Sequence, residues 1–279
     1  MLDTLILYYQ TYPVVTYATT VLMLVSLCSA LLGVTLVLKR FSMIGDGLSH
    51  VAFGATAIAT VMGFAPMYAA LPITVLSSVL LLRMRSGTRI RGDAAIAMLS
   101  AGALAIGYML LNVFPENTTN ITGDACTALF GSASILGISL SDVIVCSVLA
   151  AVLITLFILF YNKVFSVTFD ESFAMATGTK VELYNTVIAA ITGVVIVISM
   201  NMVGALLISA LITFPALSAM RIFKTFKKVV ICSSVISVSC ALVGTLLCIM
   251  LSTPVGPTIS IINIIVFGVF WIIGMIKKR

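Results

Sequence analysis

One short stretch of this sequence carries residue types that bind metal ions. Residues 45–50 read GDGLSH and place Asp46 four residues before His50, the only histidine in the chain. Residues four apart share one face of an α-helix, so the carboxylate and the imidazole point in the same direction. An oxygen and a nitrogen ligand together suit a borderline divalent cation such as zinc or manganese. The stretch therefore predicts a metal site formed by Asp46 and His50.

A structural role for the same pair stays open at this point. Asp46 lies at the start of an apolar run, where it can cap a membrane helix, and His50 can lie at the interface. Ionisable groups within membrane spans are costly and are usually functional. One chain supplies only two such ligands, whereas zinc takes four. A two-fold dimer with the site on its axis supplies four, so the ligand number predicts a homodimeric pore.

The rest of the chain is too apolar for a soluble protein. Its 279 residues are 61% hydrophobic and 9% charged, whereas about a quarter of the residues in soluble domains are charged. The lipid bilayer must therefore be the solvent for most of the surface. The net charge of +6 does not indicate a nucleic-acid partner, because the basic residues form short groups between apolar runs. We predict an all-α polytopic membrane protein of the bacterial cytoplasmic (inner) membrane.

The apolar runs predict about nine transmembrane helices. Gly63 with Pro66, and Asn201 with Gly204, predict two tight hairpins. The fifteen basic residues all fall on one side of this arrangement, which predicts an external N-terminus and a cytoplasmic C-terminus. Residues 125–138 favour a re-entrant or interfacial helix over a free loop. The predicted spans lie near 15–38, 49–65, 66–83, 94–114, 142–162, 184–200, 202–220, 229–251 and 258–276.

A second motif lies in the cytoplasmic segment between the fifth and sixth spans. Asp170 or Glu171 can open a short helix, because acidic residues are favoured at a helix N-terminus, and Gly178 can end it. Phe173 and Ala176, three residues apart, share an apolar face. The pattern predicts a small amphipathic helix that lies against the membrane surface or against a partner protein.

Two further stretches carry small residues and prolines. Residues 203–216 combine small side chains, which allow helices to approach closely in membranes, with Pro215, which kinks or breaks a helix. Residues 253–257 (TPVGP) predict an external turn between the last two spans. Pore lining and ordinary helix packing both stay open for the small residues. The positions that we assign to these roles are Gly45, Gly47, Gly204, Ser209 and Pro215.

Taken in this order, the four stretches resemble the permease of the bacterial zinc, manganese and iron ABC importer family. The first motif of that family resembles a basic pair followed by Gly-Asp-Ala-Leu-Ser-His and a later glycine. Here residues 39–40, residues 45–50 and Gly54 stand in those places, with Gly47 where the family usually has alanine.

The similarity continues along nearly the whole chain. The second family motif resembles Phe-Asp-Pro-Glu-x-Ala with a later glycine, and residues 169–174 with Gly178 match it without the proline. Residues 203–216 are similar to the family pattern Val-Gly-x-Leu-Leu-x-x-Ala-Leu-Leu-x-x-Pro-Ala. The order, length and topology together make the resemblance specific, although no single motif decides it.

The resemblance implies a single transmembrane permease domain over residues 1–279. Two copies would form the pore, two copies of a cytoplasmic ATP-binding subunit would dock below, and an extracytoplasmic metal-binding protein would deliver the ion. Asp46 and His50 would coordinate Zn²⁺ or Mn²⁺ in transit, with a slight lean to zinc from overall similarity. No cofactor would be bound permanently, and the partner subunit would use the ATP. Residues 166–182 would hold the coupling helix, with Phe169, Asp170, Glu171, Phe173, Ala174 and Gly178 as its coupling residues.

Other function classes fit the sequence less well. An enzyme is not expected, because the P-loop and the HExxH zinc motif are absent. The patterns of the aspartyl and serine intramembrane proteases each lack a required glycine around residues 43–50. An ion-coupled secondary metal transporter needs ionisable residues on several spans, and only Asp46 and His50 qualify. A permease for a metal chelate remains a related alternative, since its wide cavity would not need this pair.

Overall fold

Long apolar helices form nearly all of the described chain. The computed structural model describes residues 12–83, 92–114 and 137–277, and no strand occurs in these ranges. Two short helices, α6 (Tyr161–Phe169) and α7 (Glu171–Ala176), interrupt the series of long ones. The long helices are α1 (Pro13–Leu38), α2 (Ile44–Val61), α3 (Pro66–Arg83), α4 (Gly92–Val113), α5 (Leu140–Leu159), α8 (Val181–Val203), α9 (Ala205–Ile222), α10 (Phe226–Leu251) and α11 (Val255–Ile276).

Eight of the described helices are long and apolar enough to cross a membrane. The prediction of an all-α polytopic membrane protein is therefore confirmed. The remaining long helix, α2, has 18 residues and is made less apolar by Asp46, Ser49 and His50. The membrane crossing of α2 and the sides on which the termini lie stay predictions.

Glycines make both predicted hairpins. Gly63 lies in the turn after α2 with φ 74°, and Gly204 separates α8 from α9 with φ 90°. Glycine adopts such positive φ values without a steric penalty. Pro66 begins α3, a position where its missing N–H costs nothing. Pro215 lies inside α9, which continues to Ile222, so this proline does not break the span. Nearly all of the predicted re-entrant segment, 125–138, lies outside the described residues.

The centre of the bundle is built from α1, α2, α8 and α9. Their fully buried side chains include Leu36, Leu48, Ile196 and Ile208. The outer helices are much less buried. Only 17% of the apolar 18-residue stretch in α4 and in α5 is buried, and 22% of that in α11. Their exposed faces are apolar, as lipid or another membrane helix requires.

Close backbone approaches hold α2 against its neighbour α4. A Cβ atom built on Gly54 would lie 2.6 Å from the carbonyl oxygen of Ala103, and one built on Gly107 would lie 3.1 Å from the Cα of Gly54. Small residues at such crossings let membrane helices pack backbone to backbone. The helix that carries Asp46 and His50 is thus fixed in position along its length.

Candidate metal site

Asp46 and His50 lie on one face at the start of α2. The helix begins at Ile44, so Asp46 is in its first turn and His50 is in the next. The Oδ1 atom of Asp46 is 3.6 Å from the Nε2 atom of His50. The side chain of Asp46 is 48% exposed and that of His50 is 19% exposed. The carboxylate is therefore open to an incoming ion, whereas the imidazole is held largely within the protein.

The geometry does not support a capping role for Asp46. The N-cap position of α2 is Met43, which makes no side-chain capping hydrogen bond. The backbone carbonyl of Asp46, not its carboxylate, accepts a hydrogen bond of 2.7 Å from the hydroxyl of Ser49. A negative charge in the first turn is still favoured by the helix dipole. The carboxylate oxygens make no capping hydrogen bond and are therefore available to a cation.

The separation of the pair fits shared coordination of one ion. Two ligands of a tetrahedral zinc ion with bonds of about 2.1 Å lie about 3.4 Å apart, close to the 3.6 Å between the carboxylate oxygen and the imidazole nitrogen. The other ring nitrogen of His50 is buried and has no hydrogen-bond partner among the described residues. No group of three or more His, Cys, Asp or Glu side chains that could hold a metal occurs in that part of the chain. Among the described residues, the candidate site of one chain therefore consists of the Asp46–His50 pair alone.

Helix α9 packs behind the start of α2. A Cβ atom built on Gly45 would lie 3.4 Å from the Cα of Ser209 and 3.0 Å from the Cδ1 of Ile212. The hydroxyl of Thr213 donates a hydrogen bond of 3.2 Å to the carbonyl of Ser42, in the turn that precedes α2. The structure thus brings the small residues of the first and third motifs together, although Ser209 also bonds back within its own helix.

The other assigned packing residues lie at separate places. A Cβ atom built on Gly47 would overlap the Cγ2 atom of Ile96 on α4. Gly204 forms the turn between α8 and α9, and Pro215 is buried in the middle of α9. These contacts are those of helix packing, and pore lining stays a prediction for all five assigned positions.

The short helix of the second motif forms where the sequence predicts it. The Oδ1 atom of Asp170 accepts a hydrogen bond of 2.9 Å from the backbone N–H of Phe173, which makes Asp170 the N-cap of α7. Gly178, with φ 78°, follows the helix in a conformation that disfavours other residues. The local signals at both ends thus set the limits of α7.

Helix α7 presents an inner and an outer face. Ala174 is fully buried against Val167 and Val181. Phe173 is 62% exposed, and Ala176 is exposed as well, so the apolar face that these two residues were predicted to share is open. Phe169 is also exposed, although its ring packs against that of Phe165 with centroids 4.8 Å apart. The outer face is therefore an uncovered apolar surface beside the bundle.

Sequence reasoning missed one cluster of charged and polar residues. The Nζ atom of Lys39 lies 3.2 Å from the Oε1 atom of Glu171 and also donates to the side-chain oxygen of Asn185. The amide nitrogen of Asn185 donates to the same carboxylate oxygen at 3.3 Å. The side chain of Lys39 is only 2% exposed. In the sequence, Lys39 is one of the basic residues that predict the topology and half of the basic pair of the first motif, and no local signal shows partners so far along the chain.

A family model described as the ABC 3 transport family matches residues 11–275. The chain belongs to this family. The predicted resemblance is thereby confirmed, and the protein is a permease, the transport subunit of an ABC transporter. With its eight membrane-spanning candidates, this ABC 3 family chain is a multi-pass protein of the cytoplasmic membrane.

Relatives of this ABC 3 family chain match it over most of its length. It is 25% identical over 242 residues to the high-affinity zinc uptake system membrane protein ZnuB of Haemophilus influenzae, covering 87% of this chain and 90% of that protein. It is 26% identical over 243 residues to the manganese import system permease protein ScaB of Streptococcus gordonii, covering 87% and 84%. Its fold is similar to that of PsaBC from Streptococcus pneumoniae, with a TM-score of 0.83, 23% identity and coverage of 97% and 95%.

Proposed function

We propose that this permease conducts a divalent transition metal, zinc or manganese, into the cell. The observation that carries the proposal is the Asp46–His50 pair, an oxygen and a nitrogen atom 3.6 Å apart on one face of α2. Zinc and manganese both accept such mixed ligands. The two relatives named for zinc and for manganese support the substrate class, and their similar identities of 25% and 26% do not favour either metal. Zinc remains our slight preference.

Two copies of the chain complete the site in this proposal. Each chain contributes one carboxylate and one imidazole, and a two-fold axis beside Asp46 brings two such pairs to one ion. The 48% exposure of the Asp46 side chain leaves it accessible to the second copy and to the ion. A metal-binding protein outside the membrane delivers the ion in this scheme, and the permease itself catalyses no reaction.

The energy comes from ATP hydrolysed by a partner subunit that docks on α7. Supporting observations are the exposed outer face of this helix, with Phe173 62% exposed, and its fixed N-cap at Asp170. An exposed aromatic side chain on an ordered helix suits a protein interface. Residues 166–182 therefore serve as the coupling segment, with one ATPase subunit on each permease copy.

Metal uptake into vesicles tests the function. The vesicles hold the permease with its ATPase subunit and binding protein, and uptake of zinc and of manganese is measured with and without ATP. We expect that Asp46→Ala and His50→Ala abolish ATP-dependent uptake while the complex still assembles. Asp93→Asn is the matched control, because Asp93 is also an exposed carboxylate in the first turn of a helix, α4.

The outcomes separate the alternatives. Normal uptake by both variants would show that the metal path lies elsewhere or that the substrate is not a bare cation. Uptake that needs an ion gradient and not ATP would indicate a secondary transporter. If Asp46→Ala and His50→Ala lose uptake of the free metal but keep uptake of a metal chelate, the permease would be a chelate transporter that does not need the pair for its main substrate.

A further inference from the structure

A buried lysine joins three separate parts of the fold. Lys39 follows the last residue of α1, Glu171 is the first residue of α7, and Asn185 lies in α8. Each of the three side chains bonds to both of the others. A buried charge is costly to keep, and a hydrophobic replacement often stabilises a protein more. A lysine that is 2% exposed therefore indicates a requirement for specific geometry at this point.

The chain between Lys39 and α2 is short and held at several points. Arg40 has φ 64°, in the left-handed region, and the N–H of Phe41 bonds back to the carbonyl of Leu36 at 2.9 Å. Phe41 is buried, and the carbonyl of Ser42 accepts the hydrogen bond from Thr213. Helix α2 then begins at Ile44. The segment between Lys39 and α2 therefore has little freedom to absorb a displacement of Lys39. Such a displacement would reach the helix that carries Asp46 and His50.

The two sides of α7 have different partners. Glu171 points to Lys39 and Asn185 and is 28% exposed. On the other side, Phe173 and Met175 are 62% and 57% exposed. A partner protein that binds the exposed side therefore acts on an element whose first residue is attached, by an ion pair, to the turn before α2.

We propose that the Lys39–Glu171–Asn185 cluster transmits movement of α7 to Asp46 and His50. In this proposal Glu171 links α7 to Lys39 and Asn185, whereas the exposed residues of α7 bind the ATPase. Lys39 is a positioning residue in this proposal, since its side chain is 2% exposed and pairs with Glu171. This inference rests on the proposed function, because it assumes that α7 receives the ATPase.

Chemical labelling at the metal site tests the connection without any metal transport. Asp46→Cys places a thiol at the half-exposed site, and its alkylation rate is measured in the assembled complex with and without a non-hydrolysable ATP analogue. Subtracting the rate of the same chain without Asp46→Cys removes the native cysteines. We expect nucleotide to change the rate by about fivefold or more, the lower range of coupling between linked sites.

Two variants and one control decide the role of the cluster. Lys39→Met, which keeps the length of the side chain and removes the charge, should abolish the nucleotide effect while the ATPase subunit still co-purifies. Exchanging the charges, with Lys39→Glu and Glu171→Lys together, should restore it, because the amide of Asn185 can both donate and accept. Arg40→Gln changes the exposed neighbour of Lys39 and should leave the effect intact.

The results that overturn the inference are distinct from those that overturn the function. An unchanged nucleotide effect in Lys39→Met refutes the transmission role, and so does the absence of any effect in the chain with Lys39 intact. Failure of the exchanged pair to restore the effect, in a complex that assembles, refutes it as well. Loss of the proposed metal function would instead appear as normal uptake by Asp46→Ala, whatever the labelling shows.

Discussion

Replacing Gly47 with alanine tests how tightly α2 is held against α4. The added Cβ atom would overlap the Cγ2 atom of Ile96, far inside the separation of about 3.5–4.0 Å at which carbon atoms attract each other. Ile96 is 2% exposed and the overlapping atom is on its branched Cβ, so relief of the overlap requires a buried side chain to rotate or shift. The resembling family motif usually has alanine at this position, whereas in this chain an alanine there would meet Ile96.

The expected cost follows from two opposing terms. Overpacking a buried contact costs about 1–3 kcal/mol, and the upper part of this range applies because Gly54 meets the Ala103 carbonyl farther along the same helix pair. Alanine in place of glycine gains about 1 kcal/mol within a helix. We therefore expect Gly47→Ala to destabilise the protein by about 1–2 kcal/mol.

The assay is unfolding of the purified permease in detergent, with two reference variants. Gly102→Ala is the matched control, because it lies in α4 and a Cβ atom there would meet nothing within 4 Å. It should be neutral or stabilising by up to about 1 kcal/mol. Ile96→Ala removes the overlapping atom, so the pair Gly47→Ala with Ile96→Ala should lose less stability than the two single changes added together.

The reasoning fails if Gly47→Ala is as benign as Gly102→Ala. It also fails if the two changes at positions 47 and 96 are additive, because additivity means that the two side chains do not compete for one space. In either case the helices α2 and α4 would be able to separate at low cost. The site at Asp46 would then be less firmly placed than its contacts indicate.

The remaining predictions concern the coupling segment. Asp170→Ala should destabilise α7 by about 1 kcal/mol through loss of its N-cap, seen as faster proteolysis in this segment, whereas Asp170→Asn should not. Gly178→Ala should cost about 1–2 kcal/mol, because φ 78° is unfavourable for a residue with a Cβ atom, and equal resistance to proteolysis would contradict this. Phe173→Ala should leave thermal stability unchanged but weaken co-purification of the ATPase subunit at least about tenfold; Leu76→Ala, which changes a side chain on α3 that is even more exposed, should not.

The positions of the spans could be predicted because bilayer thickness sets their length and hydropathy marks their ends. The start of α2 could not, since Gly45, Asp46 and Gly47 resemble loop residues and the predicted span began only at residue 49. In the structure the helix begins at Ile44. The break at Phe160 that separates α5 from α6 was also missed, because no glycine or proline marks it.

The two parts of the candidate site differed in how far local sequence could predict them. The limits of α7 follow from its capping residue and its glycine, both of which act within one turn. The partner of Lys39 is 132 residues away, and only the fold brings the two together. From local sequence, a buried lysine in a basic pair is indistinguishable from an exposed one that marks the cytoplasmic side.

In the proposed scheme, the start of α2 connects Asp46 and His50 with the segment that receives the ATPase. A transported ion must be bound firmly enough to enter and weakly enough to leave, and a site shared between two chains meets this need if the chains can move. If a two-fold axis relates the two copies, a small shift of α2 occurs in both. The distance between the two Asp46–His50 pairs would then change by up to twice that shift. In this scheme each chain would contribute the Asp46–His50 pair, whose two atoms are 3.6 Å apart, so the ion would be held well only when the two copies of α2 are correctly placed relative to each other. In the proposed scheme, the turn between Lys39 and Ile44 is the place where a movement of α7 can alter that placement.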